Sequence, residues 1–486
     1  MLAAVLVTLD ATIANVALPR IQSSVGASPE QIVWVVTSYV IAAAIATPLS
    51  GWLATRFGRR EIMAATLAIF TLASVACGLA TDLYSLVAFR FIQGASGAAI
   101  VPLSQATLLD IFPPEKHGQA MAIFGMGSMV GGIIGPALGG FLTDWLTWRA
   151  VFLINVPFGS LAAIGIFLFM SPSKTTSRMR FDFFGFIALS IFLASLQLMV
   201  DRGQQLDWFD SPEIWAEAII MGVFGYIFLV HIFTSETPFI SPALFKDRNL
   251  SVGSIVAVLL GVLVFGAMPL IGIMLQQQLG YPVLLAGMVQ APRGIATMVA
   301  MMIAGALMGK VDTRILLLVG IASTGMGYLM MSALSLESSQ MEIILSGIVL
   351  SIGSGFIFVP LSTIVFSTLD PKLRNEGAAT FTLVRNIGQA VGISLIQVMT
   401  LRNGATVQAR LSEGVRPDSP PFGLHLPEFD FMSSEAMLGM YHEASRQAMM
   451  VAYVDSYWGL YILSIVLVPL VLLMRPAKTA RQGQAG

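Results

Sequence analysis

The chain has 486 residues, of which 56% are apolar and only 11% charged. A water-soluble domain carries about 25% charge, so this composition excludes a soluble enzyme. A net charge of −1 from 26 basic and 27 acidic residues gives no footprint for nucleic acid, and a lone cysteine, Cys77, excludes a disulfide framework or a cysteine metal site.

An apolar run of about 20 residues crosses a bilayer, and the pattern predicts fourteen such runs: 1–19, 31–54, 61–80, 84–109, 118–141, 150–170, 182–200, 214–234, 250–275, 283–309, 313–334, 341–367, 376–400 and 456–474. In lipid each backbone polar group must be satisfied within its own segment, so these runs are helices and the chain is an all-α polytopic membrane protein. The first run starts at Met1 with no basic region or cleavage pattern, which predicts no signal peptide. Asp10 lies roughly 14 Å along that helix, near the middle of a hydrocarbon core about 30 Å thick. That depth leaves room for a few residues upstream of Met1.

Orientation follows from the basic residues, which concentrate in cytoplasmic loops. Sixteen lie on one side, including Arg56, Arg59, Arg60, Lys116, Lys310, Arg374 and the tail, against seven on the other and three inside spans. Both termini are therefore expected in the cytoplasm.

Two stretches echo each other: Val101-Pro102-Leu103-Ser104 matches Val359-Pro360-Leu361-Ser362 at an offset of 258 residues, with Pro113 and Pro371 at the same offset. A weaker echo joins the stretch from Gly51 to that from Gly305. Parallel six-span repeats are a transporter architecture with the substrate site between the halves. The offset leaves room for eight spans, so spans seven and eight read as an insert.

In chain order, the first span reads Leu9-Asp10-Ala11-Thr12-Ile13-Ala14-Asn15, and the second–third loop Gly51-Trp52-Leu53-Ala54-Thr55-Arg56-Phe57-Gly58-Arg59-Arg60. Span four holds Arg90, Gln93, Gly94 and Gly97; span five holds Gly131, Gly132, Gly135, Pro136, Gly139 and Gly140; then comes Trp148-Arg149-Ala150-Val151-Phe152-Leu153-Ile154-Asn155-Val156-Pro157. With these motifs the chain resembles the major facilitator superfamily, specifically the 14-span drug:proton antiporters of EmrB/QacA type, and its Asp201-Arg202-Gly203 and long 401–455 loop resemble the EmrB branch. It departs at Thr55, where many members carry an acid, so a loop salt bridge anchored there is not implied. The resemblance implies two six-helix bundles with two extra helices between them: 1–170, an insert at 171–249, 250–474 with an extracytoplasmic loop at 401–455, and a tail at 475–486. The 401–455 loop is expected to be irregular around Pro417, Pro420, Pro421 and Pro427, with a short helix over 433–450.

Asp10 is the one carboxylate near mid-span, and an ionised group there needs a partner, water or a proton. It reads either as a proton carrier or as a structural acid bonded to Thr8 or Thr12. Arg90 reads as its charge partner or as an anchor on backbone carbonyls; the resemblance implies a part in proton transfer. Gly131, Gly135, Pro136, Gly139 and Gly140 permit close packing and bending, and the resemblance ties them to an antiporter hinge between halves. Gly51, Arg56, Gly58, Arg59 and Arg60 are expected to form a cytoplasmic latch, with Asp110 pairing with one of the arginines. Asn15, Trp34, Tyr39, Gln93, Arg293 and Arg385 are candidates to line a central cavity. The histidines have no metal spacing, and no acid, base and nucleophile converge, so no metal or enzymatic activity is expected.

The expected function is proton-coupled efflux of amphipathic or hydrophobic compounds, driven by the proton gradient with no cofactor, from a bacterial inner membrane. Two alternatives stay open: the inner-membrane part of a tripartite pump with a periplasmic adaptor and outer-membrane channel, or an exporter of one metabolite.

Overall fold

A computed structural model describes residues 1–171, 181–370, 373–414 and 433–475. The long helices are α1 (Leu2–Val25), α2 (Trp34–Phe57), α3 (Arg59–Leu79), α4 (Leu83–Ile111), α5 (His117–Trp145), α6 (Ala150–Phe169) and α7 (Phe183–Arg202). They continue with α8 (Pro212–Thr234), α9 (Arg248–Gln278), α10 (Val283–Leu307), α11 (Thr313–Met331), α12 (Gln340–Ile364), α13 (Arg374–Glu413) and α14 (Ser434–Leu472). Twelve of these are long and apolar enough to cross a membrane. The other two are α10, with Arg293 at its middle, and α13, which carries charge at both ends; they occupy the places expected for spans at 283–309 and 376–400.

Short polar side chains start these helices. The Ser85 N–H donates to Asp82 Oδ1 at 2.9 Å ahead of α4, and the same role falls to Asp182 before α7, Asp247 before α9 and Asp312 before α11. Each satisfies a backbone donor that the first helical turn leaves free. Between α2 and α3 the chain turns at Gly58 with φ 97°, a left-handed angle open to glycine.

The far ends of α13 and α14 correct one expectation. The segment 401–455 is not mainly loop: α13 continues to Glu413, and α14 starts at Ser434 and runs unbroken into the last span. At 1.5 Å per residue each helix is about 60 Å long, twice a hydrocarbon core of about 30 Å. Pro417, Pro420, Pro421 and Pro427 lie outside the described residues.

The packing repeats itself. The pairs α1 with α5, α2 with α4, α3 with α4 and α3 with α6 recur as α9 with α13, α10 with α12, α11 with α12 and α11 with α14. Two six-helix bundles result, joined by α2 against α13 and α5 against α10. The echo from Gly51 to Gly305 has its physical reason here. A Cβ on Gly51 would lie 3.0 Å from Glu376 Cα of α13, and one on Gly305 would lie 3.1 Å from the Gly118 carbonyl of α5. Both crossings between bundles need a bare backbone.

The inserted helices α7 and α8 pack on each other, tied by His231 Nε2 of α8 at 2.7 Å from Asp182 Oδ2. Helix α7 also reaches both bundles: Thr37 of α2 donates to Asp201 Oδ2 at 3.1 Å, and Ser394 of α13 donates to the Val200 carbonyl at 3.3 Å.

Candidate functional site

Gly94 decides where the first bundle places its charges. A Cβ there would lie 2.2 Å from the Tyr39 carbonyl, so α2 and α4 touch backbone to backbone. One turn earlier, Arg90 then reaches inward: its Nε donates to the Val35 carbonyl at 3.2 Å and its guanidinium lies 4.2 Å from the centre of the Tyr39 ring.

Arg90 Nη1 donates to Asp10 Oδ2 at 2.7 Å and to Gln93 Oε1 at 2.7 Å. The other carboxylate oxygen, Asp10 Oδ1, accepts from Gln93 Nε2 at 2.9 Å and Asn155 Nδ2 at 2.7 Å. Behind these amides the Ser74 hydroxyl accepts from Gln93 at 2.6 Å and from Asn155 at 3.2 Å. Asp10 is 0% and Arg90 1% exposed, so the pair is sealed from solvent and lipid alike. Removing one partner of such a buried pair costs about 3–5 kcal/mol, because the survivor keeps its charge and loses its counter-charge.

Thr8 and Thr12 do not bond Asp10; their hydroxyls donate to carbonyls one turn back in α1, and Thr12 also to the Gly131 carbonyl of α5 at 3.4 Å. Sequence reasoning brought Asp10 and Arg90 forward and placed Gln93 and Tyr39 in a central cavity, whereas both belong to this network. It missed Ser74 and Asn155 as members. Asn155 stood in the quoted Trp148–Pro157 motif, and its spacing carried no hint of a partner in α1. Asn15 is exposed and Trp34 is 38% exposed, neither of them in the network.

The glycine row of α5 packs on α1 within the first bundle, rather than between halves. A Cβ on Gly131 would lie 2.3 Å from Thr8 Oγ1, on Gly135 2.0 Å from Thr12 Oγ1, and on Gly139 2.9 Å from the Ile13 carbonyl. Gly140 comes only within 4.0 Å of Val16, and Pro136 is exposed.

At the end of the bundles carrying the Arg59 loop, Asp110 of α4 sits between two arginines from opposite bundles, Arg59 Nη2 at 2.8 Å and Arg374 Nη1 at 2.6 Å. Arg59 also donates to Asn375 Oδ1. Arg60 donates to the Phe167 carbonyl inside its own bundle, and Arg56 is exposed with no partner among the described residues. The pairing expected of Asp110 therefore falls to Arg59, with Arg374 as a second cation that the sequence left unassigned. Arg293 and Arg385 are half-buried, with no carboxylate partner among the described residues. No cluster of three potential metal ligands occurs among the described residues.

A family model described as Major Facilitator Superfamily matches residues 1–393. Multidrug export protein EmrB of Escherichia coli strain K12 is 32% identical over 494 residues, covering 100% of this chain and 96% of that protein. Fatty acid resistance protein FarB of Neisseria gonorrhoeae is 32% identical over 480 residues, covering 98% and 94%. Among solved structures, the human organic anion transporter MFSD10 (TETRAN) superposes with a TM-score of 0.60 at 15% identity, covering 95% of this chain and 98% of that one. The proton:xylose symporter XylE superposes with a TM-score of 0.61 at 13% identity, covering 96% and 92%. At such identities these two structures speak for the fold alone.

Proposed function

Because this chain belongs to the major facilitator superfamily, we propose that it is a proton-coupled exporter of amphipathic or hydrophobic compounds, fatty acids among them, working by alternating access. The observation that carries the reading is the sealed Asp10–Arg90 pair, a carboxylate held at mid-span by three side-chain donors. A proton taken up by Asp10 cancels its charge and frees Arg90, so the bonds tying α1 to α4 and α6 depend on protonation. That dependence is what coupling requires, since a proton shifts a conformational equilibrium only if the two states bind it differently.

The bundles are assigned to 1–170 and 250–474, with 171–249 as the insert and 475–486 as a tail. Sixteen basic residues on the Arg59 side support cytoplasmic termini in a bacterial inner membrane. The Asp110 cluster is then a cytoplasmic latch in its closed state. It holds the bundles together while the opposite side exchanges substrate and proton, and the Gly131–Gly140 row lets α5 move on α1.

A second reading, a tripartite pump, draws support from the length of α13 and α14, whose far ends project beyond a bilayer and offer a surface for a periplasmic adaptor.

Proteoliposomes with an imposed pH gradient test the proposal. Addition of lipophilic cations, weak acids or neutral drugs should dissipate the gradient faster than in protein-free vesicles for some compounds. Equal rates with every compound, from correctly folded protein, would count against it.

A further inference from the structure

We infer that Arg293 forms an anion-binding subsite in the second bundle, which takes the negatively charged headgroup of an amphipathic substrate; the substrate assignment rests on the exporter reading above. The site is the counterpart of the Asp10 network with its acid missing. The offset of 254 residues that aligns Gly51 with Gly305 also aligns Tyr39 with Arg293 and Ser74 with Tyr328. In the first bundle the cation on α4 lies over a tyrosine from α2, and α1 supplies the carboxylate. In the second, the cation comes from α10, lying across Gly347 of α12, where a Cβ would stand 2.8 Å from Arg293 Cγ and Cδ.

No carboxylate answers it among the described residues. Helices α9, α10 and α11 contain no Asp or Glu, and the one acid of α12, Glu342, caps that helix at its first turn. The acids of α14, which brings Tyr457, are exposed and engaged elsewhere or remote: Asp455 accepts from Asn403 at 2.7 Å, Glu443 from Arg446 and Gln447, and Glu435 lies at the helix start. Arg293 lies about 15 Å from the start of α10, mid-membrane, where an uncompensated charge faces water or a counter-ion. Its Nε is buried with no partner among the described residues. Tyr328 and Tyr457 lie within electrostatic reach of the guanidinium. Their hydroxyls are fixed on α9, Tyr328 donating to the Leu263 carbonyl and Tyr457 to Met274 Sδ at 3.7 Å. Both anchor points fall in π-helical stretches, Gly261–Phe265 and Met274–Gln278, a distortion frequent at functional sites. A half-buried guanidinium with free donors, no acid and apolar helices around it matches a carboxylate, sulfonate or phosphate on an alkyl chain.

The test uses full-length protein in phosphatidylcholine nanodiscs, titrated with decanesulfonate, a permanent anion, and decyltrimethylammonium, a permanent cation of the same chain length. Binding is read from the shift in unfolding temperature. Arg293→Gln should weaken sulfonate binding by about tenfold or more and leave ammonium binding within about twofold. Gly347→Ala, which keeps the charge and displaces the side chain, should weaken the sulfonate in the same selective way. Unchanged sulfonate binding in both variants, or equal losses for both ligands, would overturn the inference. Full competition by phosphatidylglycerol added to the nanodiscs would assign the site to lipid and overturn its role in substrate binding. Selective sulfonate binding in nanodiscs, together with no dissipation by any compound in the proteoliposome assay above, would leave the subsite standing and sink the exporter reading instead.

Discussion

Asn155 of α6 donates to Asp10 Oδ1 of α1 at 2.7 Å, on the side of the carboxylate opposite Arg90. The acid is thus gripped from two helices at once, and the grip from α6 matters only while an acceptor with full charge is present. Asn155→Ala should therefore lower stability by about 1–3 kcal/mol, and the loss should shrink in an Asp10→Asn background. A double-mutant cycle on thermal unfolding measures the coupling; additive losses would mean that the two side chains act separately.

The glycine row of α5 supplies its own controls. Gly135→Ala puts a methyl 2.0 Å from Thr12 Oγ1, whereas Gly132 has nothing within 4 Å. Overpacking costs about 1–3 kcal/mol, so Gly135→Ala should lower Tm and slow transport while Gly132→Ala changes neither. Matching behaviour of the two variants in detergent would refute the α1–α5 contact.

Asp110 bridges the bundles through Arg59 and Arg374. It is partly exposed, and ion pairs of that kind contribute about 1 kcal/mol or less after solvent screening. Asp110→Asn should thus shift the closed population a few-fold rather than abolish it. Spin labels at Phe57 and Lys310, one on each bundle at the Asp110 end, should report a larger share of long distances in the variant. An unchanged distribution would contradict the proposed latch role of Asp110.

At Asp82 the Ser85 N–H and hydroxyl hold the carboxyl below its ordinary 3.8. Because the folded-state value is depressed, the stabilisation is present above the unfolded-state value and lost as pH falls through the folded-state one. Asp82→Ala should unfold at a lower temperature than the parent near neutral pH, and the gap should close in acid. A gap independent of pH would point to the side chain's packing instead of its charge.

The helices and their repeat were legible because lipid forces apolar composition onto every spanning segment, and Asp10 stood out as a carboxylate where almost none occur. Asn155 and Ser74 were not legible as partners: neutral polar side chains occur throughout these helices, and only the fold brings α3 and α6 against α1. Arg374 was hidden among the positive loop residues, whose number reports orientation and whose individual contacts it does not resolve. The extensions of α13 and α14 escaped because hydropathy marks where a helix enters lipid, not where it ends in water.

The most direct test of proton coupling through Asp10 is substrate-triggered proton movement in proteoliposomes holding either the parent protein or Asp10→Asn at equal density. The parent should move protons on addition of a compound it binds. The variant should still bind that compound, read as a thermal shift, while its proton signal falls to that of protein-free vesicles. Proton movement at the parental rate from Asp10→Asn would contradict the account, and would place the coupling carboxylate elsewhere in the chain.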